Sequence, residues 1–316
     1  MAIMDAGGHP LYDDGKPPAS PEAVRAYGYW VGNFTQHYAA EVATAQIVVE
    51  ITNEPNGGGG YKHNASNYAR IVEAAAISAH AAVPTAQVCG PSTENIDIAW
   101  MTQVFEAGAL QHFDQITVHP YRPDSPETAL VDLAAVQCAP PSVLRLPVDL
   151  LPRRLYTSVL PACFLWNDQP ASSSVPRTVV GEFAPPGKVI PVQVGEWGYT
   201  SADSETVCCG GAKLTELQHA HLVARLYLVS IAAGSEYCLM YEWADGPNEK
   251  MGLVKEYLAG GKTGAPKLAY NATKTLSAAL RGHRYVQRLP AFSKHLSFHT
   301  LSSSAAACEW RRVFMN

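Results

Sequence analysis

The chain has 316 residues, of which 47% are hydrophobic and only 16% are charged, and its formal net charge is −5. This length allows one large hydrophobic core, either in a single α/β barrel or in two smaller domains. The absence of any run of Lys and Arg predicts no nucleic-acid partner and no anionic-membrane partner. No apolar stretch reaches the length of about 18 residues that a membrane-spanning helix needs. Residues 1–8 lack the pattern of a secretory signal, and the compartment is left open.

Short apolar runs rich in β-formers alternate with longer helical patterns, which is typical of βαβ units around a parallel sheet. The predicted strands are 2–4, 46–51, 86–89, 113–118, 189–194 and 236–241. The first predicted helix begins at Pro21 with a Ser20 cap, and further helices are predicted over 64–82, 94–107, 214–233 and 268–280. The chain therefore holds about six β/α units.

Two stretches do not follow this alternation. Residues from about 138 to 183 are rich in Pro and Ser, and residues 291–316 show no clear periodicity. An irregular segment of the first kind is uncommon inside a compact barrel. We expect a barrel-like domain over 1–290 with an irregular insertion at 138–183, which we interpret as translated non-coding sequence, followed by an unpatterned tail over 291–316.

Chemically capable side chains follow four of the predicted strands. They are Asn53 and Glu54, then His119 and Tyr121, then Glu196 between two glycines, and finally Trp243. In a barrel of parallel strands the strand ends form the catalytic face. Each motif alone also fits a purely structural interpretation. These interpretations are, in order, a polar loop, a structural histidine, a capping glutamate and a core aromatic. The four together, in this order and separated by helices, are much more specific.

This series resembles the clan of retaining glycoside hydrolases that place an acid/base and a nucleophile on strands four and seven of a TIM (β/α)8 barrel. The stretches Pro10-Leu11-Tyr12 and Lys16-Pro17-Pro18, with the run 53–56, are most similar to family 39 (β-xylosidase-like) and family 5 (cellulase-like) members. The resemblance covers roughly 1–137 and 184–290. It implies a barrel that lacks its first two β/α units, and hence an N-terminally truncated chain.

The resemblance also implies the roles of the two glutamates. Glycosidic cleavage passes through an oxocarbenium-like state, which water alone reaches slowly. In a retaining enzyme one carboxyl protonates the leaving oxygen and a second attacks the anomeric carbon, the two groups being about 5–5.5 Å apart. By resemblance, Glu54 is the acid/base and Glu196 is the nucleophile.

The remaining site residues are expected to bind a carbohydrate substrate. By resemblance, Asn53 bonds the sugar 2-hydroxyl, and Tyr121 donates a hydrogen bond to Glu196. His119 lines the same subsite, and Trp243 offers a flat face to the pyranose ring. Neither a metal nor an organic cofactor is expected.

Other ionisable residues receive less specific predictions. Glu50 lies four residues before Glu54, so we expect it to point into the barrel as a structural or supporting charge. Glu242 and Asp245 follow the last predicted strand, where they could bind sugar hydroxyls or lie exposed in a loop. The histidines outside the motif show no metal-ligand spacing and are interpreted as surface or packed residues.

Three alternatives to a retaining β-glycosidase stay open. A catalytically inactive remnant of the fold would bind carbohydrate without turning it over. A transglycosylase would share the site and differ only in the acceptor that resolves the intermediate. A metal-dependent hydrolase would need His and Asp ligands at several strand ends, and only His119 qualifies. The sugar, exo or endo action and the oligomeric state are left open.

Overall fold

The computed structural model describes residues 1–5, 13–42, 46–57, 63–137, 178–201, 213–256, 262, 264–293 and 296–303. These residues divide into two units. The first unit comprises Met1–Pro120 and Val179–Glu196, and the second comprises Tyr121–Thr178 and Trp197–Asn316. Most of the predicted insertion, 138–177, lies outside the described residues.

The strands and helices follow each other largely as the sequence predicts. The strands are β1 (Ala2–Met4), β2 (Val48–Ile51), β3 (Gln87–Glu94), β4 (Gln115–His119), β5 (Val192–Trp197), β6 (Cys238–Met240), β7 (His283–Ser293) and β8 (Leu296–Ser303). The α-helices are α1 (Pro21–Glu41), α2 (Ala65–Ala82), α3 (Ile98–Glu106), α4 (Ala129–Val136), α5 (Val179–Phe183), α6 (Glu216–Ala232) and α7 (Leu268–Leu280).

The sheet contains six strands in chain order, β1-β2-β3-β4-β5-β6, and the pairs from β1 to β5 are parallel. The central strands are buried on both faces. One face is apolar and includes Val49, Val88, Ile116 and Val194, whereas the other carries buried polar side chains such as Glu50, Thr117 and Gln193. Continuous burial of this kind is typical of parallel strands covered by helices. The described residues thus confirm a parallel α/β sheet, and they do not include a closed eight-stranded barrel.

Helix α1 packs very closely against helix α2 in the first unit. It begins as predicted, since the Ser20 side chain accepts a hydrogen bond from Ala23 N at 3.2 Å. A Cβ atom added at Gly28 would lie 2.7 Å from the Ala74 carbonyl oxygen, and one at Gly32 would lie 3.0 Å from that of Ser78. These two glycines therefore permit a backbone approach that no larger residue allows.

The predictions were wrong around β3 and α3. The sequence predicts a strand that stops at Gly90-Pro91 and a helix that starts at Glu94. Instead β3 continues to Glu94, with a register shift between Pro91 and Thr93. Such an irregularity lets a strand absorb a proline, which lacks an amide hydrogen. Helix α3 starts only at Ile98, because the Asp97 carboxylate caps it by accepting from Trp100 N at 3.0 Å.

The second unit contains α4, α6, α7 and β6, with the antiparallel pair β7 and β8. Helix α6 starts with a capping box between Thr215 and Gln218. Residues 291–293 and 296–303, which the sequence left without elements, belong to β7 and β8. Over the described residues, no helix combines the length and the apolarity that crossing a membrane requires.

Candidate active site

The backbone that carries Glu54 is held by side chains from two other elements of the first unit. The Tyr68 hydroxyl on α2 donates to the Ile51 carbonyl at 2.7 Å, and the Ser92 hydroxyl donates to the Thr52 carbonyl at 2.8 Å. Thr52 and Glu54 have φ angles of 60° and 45°, in the left-handed region that non-glycine residues rarely adopt. Strain of this kind concentrates at functional sites, where the surrounding contacts maintain it.

Glu54, His119 and Glu196 come together in the first unit, as the motif series predicts. His119 Nδ1 lies 3.2 Å from Glu54 Oε1, and one nitrogen or oxygen atom from each of the three side chains lies within 4.8 Å of the others. His119 is fully buried, whereas Glu54 and Glu196 are partly accessible. The cluster therefore offers two carboxylates to a ligand and holds an imidazole behind them.

This approach requires the sheet of the first unit to curve strongly. Glu54 follows β2 and Glu196 belongs to β5, so two further strands separate their strands in the sheet order. In a flat sheet, strands three spacings apart lie about 14 Å from each other, and their side chains stand perpendicular to the sheet. The oxygens of the two glutamates can meet only if the strands bend toward a common interior, as in a barrel wall.

His119 lies between carboxylates. Its Nε2 atom is 3.5 Å from Glu50 Oε1, opposite the Nδ1 contact with Glu54. Burial alone would lower the pKa of His119, but the neighbouring carboxylates of Glu50, Glu54 and Glu196 raise this pKa to about 10. At neutral pH the ring is consequently an imidazolium with two N–H donors.

The other predicted site residues have different surroundings. Asn53 is half-buried, and its Oδ1 atom has no hydrogen-bond partner among the described residues. Tyr121 belongs to the second unit and is buried. Trp243 belongs to the second unit too, is 49% exposed and stands edge-on to Tyr270, with 6.1 Å between ring centroids.

Two interactions of ionisable residues were missed from the sequence. Glu50 was expected to point into the barrel, and its side chain is buried. The spacing of the two residues in the sequence did not indicate that Glu50 lies next to His119. Asp245 was predicted to bind sugar or to lie exposed, and this was wrong. It is buried, and its Oδ1 atom accepts from Lys267 Nζ at 2.7 Å and from Gly252 N at 2.8 Å. A buried lysine needs such a partner, and nothing in the sequence singled out Lys267.

Glu54, His119 and Glu196 also have the donor types from which metal sites are built. A metal ion bound there would have to displace a proton from His119, because a ligating imidazole must be neutral. Among the described residues no other group of three or more His, Cys, Asp and Glu side chains comes close enough to hold one.

Comparisons with known proteins relate the chain to glycoside hydrolases through its fold. Neither a protein-family model nor a curated protein sequence matches it. Solved structures do match, and among them is a family 39 glycoside hydrolase from the gut symbiont Bacteroides cellulosilyticus WH2. That structure has 17% sequence identity and a TM-score of 0.62, and the match covers 94% of this chain and 54% of that one.

Two further matches are of the same kind. The catalytic domain of GH30 xylanase C from Talaromyces cellulolyticus has 17% identity and a TM-score of 0.54, covering 95% of this chain and 56% of its own. A glucosidase from Croceicoccus marinus has 13% identity and a TM-score of 0.56, and the match covers 92% of this chain and 52% of the glucosidase. At these identities the likeness shows a shared fold alone. The chain spans about half the length of the structures it matches.

Proposed function

We propose that this protein is a retaining β-glycosidase that hydrolyses O-glycosidic bonds of an oligosaccharide or polysaccharide. Glu54 is the general acid/base and Glu196 is the nucleophile. We further propose a TIM-type (β/α) barrel, most similar to family 39, as the fold of the catalytic domain. The observation that carries the proposal is the approach of the Glu54 and Glu196 carboxylates to within 4.8 Å, with His119 beside them.

The carboxylate separation favours a retaining over an inverting mechanism. Inverting enzymes leave about 6.5–9.5 Å between the two carboxyl groups, because a water molecule must fit between one of them and the sugar. One oxygen of the Glu54 carboxylate lies within 4.8 Å of one oxygen of Glu196, which is closer to the spacing of retaining enzymes than to that of inverting enzymes. Direct attack by one carboxylate on the anomeric carbon is the chemistry that this separation supports.

The reaction then proceeds by double displacement. Protonated Glu54 gives its proton to the glycosidic oxygen while a Glu196 oxygen bonds to the anomeric carbon, and the C–O bond to the leaving group breaks. In the second step Glu54, now a carboxylate, takes a proton from water, whose oxygen displaces Glu196. The Nδ1–H of His119 can donate to Glu54 when that group is ionised.

The remaining residues bind the sugar in this proposal. Asn53, which is half-buried, would bond the sugar 2-hydroxyl. Tyr121 would donate to Glu196, and Trp243 would stack on a pyranose ring with the face of its half-exposed indole. Each of these roles is a prediction of the resemblance to retaining glycosidases.

A panel of aryl β-glycosides with good and poor leaving groups tests the proposal. Glu196→Ala should lose turnover of every substrate, because no nucleophile remains. Glu54→Ala should lower kcat/KM by about 10²- to 10⁴-fold for poor leaving groups and far less for dinitrophenolates, which depart without protonation. Added azide should restore turnover of Glu196→Ala and give a glycosyl azide of inverted configuration.

Glu106→Gln is the matched control, because Glu106 is an exposed carboxylate of the same unit at the end of helix α3. It should keep wild-type kinetics. A folded wild-type chain that binds oligosaccharide without cleaving any member of the panel would contradict the proposal and favour a non-catalytic carbohydrate-binding protein. Turnover that survives Glu196→Ala unchanged would refute the assignment of the nucleophile.

A further inference from the structure

Glu50 is a buried carboxylate, and its surroundings indicate that its charge acts on a neighbouring residue. It lies on β2, its side chain is fully buried, and neither carboxylate oxygen has a hydrogen-bond partner among the described residues. Its ion-pair partner is His119, with 3.5 Å between Oε1 and Nε2. An isolated buried carboxylate is very unfavourable, so a positive charge on the ring must offset it.

The packing around Glu50 fixes the carboxylate in this position. A Cβ atom added at Gly195 would lie 2.6 Å from Glu50 Oε2, 3.2 Å from the Thr117 Cβ and 3.4 Å from the His119 Cδ2. The residue directly before Glu196 must therefore be glycine, because the Glu50–His119 pair occupies the space that a side chain would take. The Glu50–His119 pair therefore packs against the β5 backbone directly before the proposed nucleophile.

We infer that Glu50 is a positioning residue that keeps His119 doubly protonated and its Nδ1–H directed at Glu54. This inference rests on the proposed function for its catalytic meaning, but the ion pair itself does not. An imidazolium offsets the buried charge of Glu50 at Nε2 while it donates from Nδ1 to Glu54, whereas a neutral imidazole carries no charge that could do so.

The charged groups that face His119 come from three directions. Glu50 and Glu54 belong to β2 and the loop after it, and Glu196 belongs to β5. Glu94, on the neighbouring strand β3, is opposite His119 in the sheet register and is exposed. Glu50 is the fully buried member of this set, so its removal should change the protonation of His119 most.

The test is the ¹⁵N NMR titration of the His119 ring in the folded full chain, compared among wild type, Glu50→Gln and Thr117→Val. The Thr117→Val control alters a buried, neutral polar group beside the same glycine. Wild type and Thr117→Val should keep His119 doubly protonated at pH 8. In Glu50→Gln the ring should titrate at least one pH unit lower, and Glu50→Asp should recover part of the difference. Identical titrations in wild type and Glu50→Gln would overturn the inference.

If Glu50→Gln folds too poorly for NMR, a double-mutant cycle measured by urea denaturation tests the Glu50–His119 ion pair. His119→Asn keeps a donor near Nδ1 and removes the ring nitrogen that faces Glu50. Each single variant leaves one buried partner uncompensated, so each should unfold at lower urea concentration than wild type. The double variant should unfold at higher urea than the sum of the single effects predicts. Strict additivity would contradict the ion pair.

Kinetics separate this inference from the proposed function. On a substrate of the wild type, Glu50→Gln should lower kcat on the order of 10- to 100-fold, with a smaller change in KM. If the wild type cleaves no glycoside but the titration and the cycle give the expected results, the proposed function fails and the Glu50–His119 pair stands. An unchanged kcat in an active enzyme would overturn the positioning role.

Discussion

The protonation of buried histidines couples the stability of the first unit to pH in two opposite ways. The pKa of His119 is raised to about 10, against 6.5 for an ordinary histidine. This residue therefore contributes stability that is fully present below pH 6.5 and is lost as the pH rises through 10. His63 behaves in the opposite way, since burial lowers its pKa to about 4.

We predict that His63→Gln reduces the acid sensitivity of the protein. In the wild type, the unfolded chain binds a proton at His63 near pH 6.5, whereas the folded chain does so only near pH 4. The free energy of unfolding therefore falls as the pH falls through this range. Between pH 7.5 and 4.5 the variant should gain about 2 to 3 kcal/mol relative to wild type.

Urea denaturation at the two pH values measures this difference. His112→Gln is the matched comparison, because burial lowers the pKa of His112 as well but that ring is less enclosed. His112→Gln should change the pH dependence of the free energy of unfolding in the same direction as His63→Gln, but by a smaller amount. If the stability difference between His63→Gln and wild type does not change with pH, His63 titrates normally in the folded state and the prediction is wrong.

Helices α1 and α2 of the first unit pack through small residues at their contact. We predict that Gly28→Ala destabilises the protein by about 1–3 kcal/mol, because the new methyl group would overlap the Ala74 carbonyl of α2. This cost exceeds the gain of up to about 1 kcal/mol in helix propensity. Asn33→Ala, at an exposed position of the same helix, should be neutral or slightly stabilising. Stabilisation by Gly28→Ala in urea denaturation would contradict the packing.

The secondary structure that local chemistry determines could be predicted from the sequence. Helix α7 has the predicted bounds, and α1 starts at the predicted Ser20 cap. The predicted helix over 64–82 corresponds to α2, which Asn64 caps. The failure at Gly90-Pro91 has a different origin, because pairing with neighbouring strands overrides a local turn signal. Turn propensity is a property of the segment, whereas strand pairing depends on residues distant in sequence.

The same distinction applies to the site. The four strand-end motifs identified Glu54, His119 and Glu196, and these residues do come together. The contact of Glu50 with His119 and that of Asp245 with Lys267 could not be predicted, because both depend on how elements meet in three dimensions. The requirement for glycine at 195 became interpretable only once its buried neighbours were known.

At the scale of the whole molecule, the parallel sheet and the match to a family 39 structure show a fold shared with glycoside hydrolases, whereas the proposed chemistry rests on the site. The predicted resemblance to family 39 agrees with the fold match to a family 39 structure, while membership of that family stays a prediction. Because the chain spans about half of that structure, turnover by this polypeptide has to be measured directly.

The proposed mechanism requires a covalent glycosyl-enzyme on Glu196, and mechanism-based trapping detects this intermediate. The 2-deoxy-2-fluoro analogue of the best aryl β-glycoside forms a glycosyl-enzyme that hydrolyses slowly, so mass spectrometry of the intact protein and its peptides can locate the sugar. We predict one fluorosugar per chain, attached to Glu196, and no label in Glu196→Ala. An enzyme that cleaves the parent glycoside but carries the label on another residue, or never accumulates one, would contradict the account.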